Sequence, residues 1–145
     1  MIKWNIMEIE VETLGYEKAT APDELFASLG PCIAIGAIYE DKGYLLHTQP
    51  VGWENFAAVL NPILFDLTNE VRDKAKLKLF IAGGSLIGGE YVNEKLAGRQ
   101  VVLEAIKRSG FFECIAEVRW ATSCQTLTLL LDQKQGLIED WELPD

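Results

Sequence analysis

The segment Cys32-Ile-Ala-Ile-Gly-Ala-Ile-Tyr39 constrains this chain most, because it is apolar at both odd and even positions. A strand with one wet face alternates polar and apolar residues, so a strand without that alternation is buried on both faces. Leu77-Lys-Leu-Phe-Ile-Ala82 reads as a second buried strand. Such strands belong to a layered architecture, and the other segments have to supply the covering layers.

Residues 2–12 alternate around Ile2, Trp4 and Ile6, then Met7, Ile9 and Val11, which predicts a strand with a bulge at Ile6–Met7. Residues 13–30 are turn-rich, punctuated by Gly15, Pro22 and Gly30. Glu40-Asp41-Lys42-Gly43 is a turn that returns the chain as Tyr44-Leu-Leu-His-Thr-Gln49, the second arm of a hairpin. Phe56, Val59, Leu60, Ile63, Leu64, Leu67 and Val71 recur at helical spacing, and Pro62 inside them predicts a kink or a break between two helices. A further helix runs through Leu96, Val102, Ala105 and Ile106 and stops at Gly110. Residues 114–120, 125–131 and 137–141 read as strands, the last two joined around Lys134-Gln135-Gly136. The sum is about six strands and two or three helices, an α+β chain of layered α/β/β type. No repeat or linker divides it, so residues 1–145 are expected to form a single domain.

Charge and residue counts narrow the chemistry. The chain holds 13 Lys+Arg against 22 Asp+Glu, a net charge of −9, with one His and three Cys. An anionic surface repels phosphates, which argues against nucleic acid and anionic membrane as partners. One imidazole removes most zinc and di-iron chemistry, so no metal or cofactor is expected. Cys32, Cys114 and Cys124 are odd in number and form no CxxC pair, so neither a disulfide framework nor a zinc ribbon is present. The N-terminus lacks the apolar run of a signal peptide, and no stretch approaches the ~20 apolar residues of a membrane span. The expectation is a reduced, cytoplasmic protein without membrane insertion. The acidic C-terminal stretch from Ile138 reads as a solvated end, or as a partner anchor through Trp141 and Leu143.

Two constellations carry potential chemistry. Gly84-Ser-Leu-Ile-Gly-Gly89-Glu90 has the glycine spacing of a phosphate loop, but Glu90 stands where a Lys must meet the β- and γ-phosphates. The glycines after the 77–82 strand therefore serve a tight turn, or Gly83, Gly84 and Ser85 line a substrate cleft with open backbone. Cys32 and His47 occupy neighbouring arms of one hairpin, and a thiol needs an adjacent base to become a nucleophile. With Asp41-Lys42 as a two-residue loop, His47 pairs with Gly36, on the same face as Cys32 but four residues along, or ~13 Å. A bulge or a wider loop must shorten that separation for the two side chains to form a dyad.

In order, Leu29-Gly30-Pro31-Cys32-Ile-Ala-Ile, His47-Thr-Gln-Pro50, Ile81-Ala82-Gly83-Gly84-Ser85 and Gly98-Arg99-Gln100-Val101 with Ala105 resemble the motifs of the CheD chemotaxis receptor glutamine deamidases. The likeness covers residues 25–140. It implies a three-layer α/β/β fold, shared with the catalytic domain of cytotoxic necrotizing factor toxins, and a hydrolase acting on glutamine side chains of a protein. By that resemblance Cys32 is the nucleophile and His47 the base, with a thioester intermediate. The family's third catalytic residue, a Thr shortly before the Cys, falls on Phe26 here. Ser28 is the nearest hydroxyl, with Thr20 and Thr48 as further substitutes. The alternative is a catalytically inactive relative that keeps the fold and docks a protein partner.

Overall fold

In the computed structural model, residues 5–49 and 56–142 are described. Strand β4 (Ile33–Tyr39) is buried along its whole length, as its unbroken apolar sequence demands. It lies in the middle of a five-stranded sheet of order β2-β5-β4-β6-β7, formed with β2 (Tyr16–Thr20), β5 (Lys42–Thr48), β6 (Leu77–Gly83) and β7 (Ile115–Trp120). A second sheet has the order β1-β3-β8-β9, from β1 (Glu8–Glu10), β3 (Glu24–Leu29), β8 (Cys124–Leu130) and β9 (Gln135–Trp141). Both sheets are mixed: β1 runs parallel to β3, β6 parallel to β7, and the other pairs are antiparallel.

The two faces of β4 feed two cores. Ile33, Ile35 and Ala37 pack with Leu46, Leu79 and Ile81 against Leu60, Ile63 and Leu67 and, from α3 (Val92–Arg108), Val102 and Ile106. Ala34 and Ile38 point the other way, meeting Leu25, Ala27, Leu29, Leu127 and Leu129 of the second sheet. Each large aliphatic side chain so buried contributes ~1.5–3 kcal/mol. Helices, sheet and sheet thus form three layers, the α/β/β sandwich expected from the sequence.

Pro62 does mark a break. Helix α1 (Phe56–Val59) ends before Leu60, and α2 (Asn61–Glu70) begins with the proline in its first turn, where a missing N–H costs nothing. Helix α3 stops before Gly110, which takes φ +83°. Two expectations need correction. Nine strands are present among the described residues, because the turn-rich stretch 13–30 contains both β2 and β3. The first strand is only Glu8–Glu10, and residues 5–7 are irregular rather than bulged. Ile2, Trp4, Pro50 and Leu143 lie outside the described residues. Among the described residues no helix is long and apolar enough to cross a membrane.

The chain passes between the two sheets three times in its first third. Two of these crossings, β1 to β2 through residues 11–15 and β3 to β4 through residues 30–32, meet at one end of the sandwich. Cys32 and His47 lie there.

Candidate functional site

The hairpin register differs from the expected one by a single turn residue on each arm. Tyr39 pairs with Lys42, so the loop is Glu40-Asp41, with Glu40 at φ +56°. His47 consequently sits opposite Ala34 instead of Gly36. Cys32 is two residues from Ala34 and on its face, which makes Cys32 and His47 diagonal neighbours, ~7–8 Å apart at the backbone and closer at the side chains. The ~13 Å gap is removed without a bulge.

His47 is held from one side by the first crossing. Its N–H donates to the Gly15 carbonyl at 3.0 Å, and its carbonyl accepts from Leu14 N–H at 2.7 Å. With both backbone groups turned that way, His47 and Ala34 form a non-hydrogen-bonded pair, the closer kind, which favours side-chain contact. The Nδ1 atom lies 2.8 Å from the carbonyl of Val11. A carbonyl only accepts, so Nδ1 carries the proton and Nε2 presents a lone pair. That Nε2 is buried and, among the described residues, has no hydrogen-bond partner. A buried acceptor left open in this way is costly unless something is meant to use it.

Cys32 is half-buried against the inter-sheet core. Burial pushes its thiol above the ordinary value, while the Thr13 hydroxyl beside it pulls the other way. Thr13 is the one side chain acting on the thiol among the described residues, and it does so without the geometry of a full hydrogen bond. Burial outweighs the polar neighbour, and the resting group is the neutral thiol.

Ser28 does not join the site. It pairs with Thr126 and is exposed, on the face of β3 opposite Ala27 and Leu29, which point inward. Strand alternation turns Ser28 away from Cys32. Thr20 pairs with Lys42 at the far, turn end of the hairpin, and Thr48 pairs with Ile33, facing the helices. Thr13, missed from sequence, is the hydroxyl that reaches Cys32. Its signal was the Thr13-Leu14-Gly15 turn, closed by Gly15 N–H donating to Glu12 at 2.8 Å.

Gly83, Gly84 and Ser85 lie against the Cys32 loop. Their N–H groups are all engaged: Gly83 donates to Gln125 Oε1 at 2.8 Å, Gly84 to the Cys32 carbonyl at 2.8 Å, and Ser85 to Gly30 at 3.0 Å. The segment fastens the Cys32 loop and has no amide left to offer a substrate. Gly83 takes φ +88° and a Cβ there would lie 2.0 Å from the Cys32 carbonyl oxygen, so only glycine fits. The Gly84 carbonyl accepts from Arg99, whose guanidinium lies over the Trp120 ring at 4.9 Å from its centroid. Because that carbonyl is turned to Arg99, the Cys32 amide, on the same side of β4, has no acceptor among the described residues.

Beside the loop a groove of about 480 Å³ runs between Leu86, Ile87, Arg99, Trp120 and Thr122. A cavity of about 340 Å³ lined by Lys18, Lys42, Tyr44 and Glu70 lies at the turn end of the hairpin and does not touch Cys32 or His47; its lysines are paired with Glu70. Among the described residues, no three His, Cys, Asp or Glu side chains gather in a metal-binding group.

No protein-family model matches the chain, and no curated protein matches it. Among solved structures it is similar to the crystal structure of Bacillus licheniformis hypothetical protein YfiH, with a TM-score of 0.51 and 12% identity over 72% of this chain and 49% of that one. The likeness is one of fold, an α+β sandwich, and this chain spans about half the length of that protein.

Proposed function

We propose that this domain is a CheD-like thiol hydrolase that deamidates glutamine side chains of a protein, with Cys32 as nucleophile and His47 as base. The observation that carries the reading is the Nδ1–Val11 hydrogen bond, which leaves an open Nε2 lone pair diagonal to the thiol. The Cys32 Sγ attacks the carboxamide carbon while its proton passes to His47 Nε2. The resulting oxyanion accepts from the Cys32 amide, and such a donor is worth ~3–4 kcal/mol in enzymes where one was removed. Collapse breaks the C–N bond, the His47 proton leaves with the nitrogen as ammonia, and a thioester remains. Water, deprotonated by Nε2, hydrolyses it to glutamate and returns the thiol. Because the resting thiol is neutral, proton transfer accompanies attack instead of preceding it. Thr13 supplies the hydroxyl that the family resemblance calls for, from the first crossing instead of the residues just before the Cys.

The reading is tested by alkylating the folded protein near neutral pH and mapping each cysteine. Cys32 is expected to react faster than Cys114 and Cys124, with the advantage lost in His47→Ala. Equal, slow reaction at all three sites overturns it. A second reading, a non-catalytic module that docks a protein, is favoured by the raised thiol pKa. It predicts no excess reactivity at Cys32 and a partner complex that survives Cys32→Ala.

A further inference from the structure

Gln125 stands on β8, in the sheet opposite Cys32, and its side chain is fully buried. An amide in that position has to find both an acceptor for its N–H groups and a donor for its oxygen. Gln125 does so by spanning the inter-sheet core. Its Oε1 accepts from Gly83 N–H at 2.8 Å, on the strand beside Cys32, and its Nε2 donates to Asp140 Oδ1 at 2.9 Å, on β9. The other Asp140 oxygen is paired with Arg119 of β7. This settles the orientation of the amide. A carboxylate accepts only, so Nε2 must face Asp140 and Oε1 must face Gly83.

Gly83 is where the chain leaves β6. Its N–H donates to the Gln125 side chain, its own φ is +88°, and Gly84 follows at φ +64°. The second of these left-handed residues places its amide on the Cys32 carbonyl at 2.8 Å. The course from Arg119 through Asp140, Gln125, Gly83 and Gly84 to Cys32 is therefore unbroken, each link being a hydrogen bond or an ion pair except the peptide bond between Gly83 and Gly84.

We infer that Gln125 is a positioning residue for Cys32: it fixes the Gly83–Gly84 turn and so sets the peptide plane that aims the thiol at His47. The inference rests on the proposed Cys–His site, but it assigns a role to a residue outside that site, on the other sheet. Gln125 touches neither reacting atom and does not take part in proton transfer. The amide is needed because it alone can accept from Gly83 while donating to a carboxylate. A carboxyl group of the same shape can do both only when it holds a proton.

That last point gives a test that a merely space-filling role would not satisfy. In Gln125→Glu the introduced carboxyl faces Asp140. Below its own pKa its hydroxyl donates to Asp140 and its carbonyl oxygen accepts from Gly83, reproducing the native pattern. Above that pKa two carboxylates confront each other and the arrangement breaks. The measurement is the rate of Cys32 modification divided by that of Cys114 in the same molecule, read by peptide mapping after brief treatment with a dipyridyl disulfide, which stays reactive in acid. Across pH 5–9 the wild-type ratio is the reference.

The expected result is a Gln125→Glu ratio close to wild type at the acid end that falls about tenfold below it at the alkaline end. A Gln125→Glu ratio that parallels wild type across the range overturns the inference. Should that variant fail to fold, Asp140→Asn decides, because Asp140 is a surface group and its amide no longer fixes which way Gln125 points. A several-fold drop of the Cys32 ratio with an unchanged melting temperature supports the inference, and an unchanged ratio overturns it. A wild-type protein whose Cys32 reacts no faster than Cys114 instead overturns the underlying Cys–His reading, so the two failures are distinct.

Discussion

His47 Nδ1 donates a hydrogen bond to the carbonyl of Val11 at 2.8 Å, joining strand β5 to the crossing at residues 11–15. The bond fixes the ring's orientation and leaves the other nitrogen as a buried base. On the proposed mechanism, replacing the ring in His47→Ala is expected to lower deamidation by about 10²-fold or more, in line with general acid–base contributions. Ammonia release from a glutamine-rich protein substrate, compared between wild type and variant, checks this. His47→Gln, which keeps a donor for Val11 but offers no imidazole base, is expected to be as inactive as the alanine variant while staying nearer wild type in stability.

The two hydroxyl candidates give opposite expectations. Thr13→Ala removes the polar neighbour that favours the Cys32 thiolate, so the rate of Cys32 alkylation should fall roughly twofold, the low end of what a hydrogen-bonding partner contributes. Ser28→Ala alters an exposed side chain on the outer face of β3 and should leave that rate unchanged, with stability within about 0.5 kcal/mol. Equal effects of the two variants would show that Thr13 is not part of the site.

Gly83→Ala forces a Cβ to within 2.0 Å of the Cys32 carbonyl oxygen at a backbone φ of +88°. The strained backbone alone costs about 1–3 kcal/mol, and the clash adds to it. The urea midpoint should drop accordingly, and Cys32 reactivity should drop with it. Gly30→Ala is the control, since nothing lies within 4 Å of a Cβ built there.

Stability should fall in alkali. Tyr16 donates to Asp66 at 2.6 Å and Tyr44 to Glu70 at 2.9 Å, and burial followed by these hydrogen bonds raises both phenol pKa values well above the ordinary range. A group whose folded pKa is raised contributes stability below its unfolded pKa, about 10 for Tyr, and loses it as pH climbs toward the folded value. Lys18 is shifted in the same direction by its bond to Glu70. Urea midpoints should therefore decline above about pH 10, and Tyr44→Phe should flatten that decline.

The layers were legible because burial writes itself into the sequence. The apolar run of β4, the helical spacing across Leu60, Ile63 and Leu67, and the break at Pro62 each reflect a local requirement that residues close in the chain satisfy together. Strand β2 was not legible, since Tyr16-Glu-Lys-Ala-Thr20 is an edge strand without a fully buried residue, and its composition resembles a loop. The alternation of Leu25, Ala27 and Leu29 was present in β3 but framed by Pro22 and Gly30, which read as turn signals. The turn lies one residue earlier than expected, shifting the pairing by two, because Glu40, not a residue that favours left-handed backbone, takes the positive φ. Thr13 and Gln125 were invisible for another reason. Thr13 meets Cys32 from the 11–15 crossing and Gln125 meets Gly83 from the other sheet, relationships that no local pattern encodes.

The crossing at residues 11–15 also bears on how the protein comes to be competent as it folds. A two-residue turn is enough to set Cys32 beside His47, so that pair can form early, from neighbouring stretches of chain. Val11 and Thr13 arrive only when the amino-terminal segment docks across both sheets. Until then the imidazole has no fixed tautomer, and a newly made chain would carry its nucleophile without a directed base. On the proposed mechanism, reactivity is thus expected to appear after the hairpin, with the docking of the amino-terminal segment, which would keep the thiol silent in a half-folded chain.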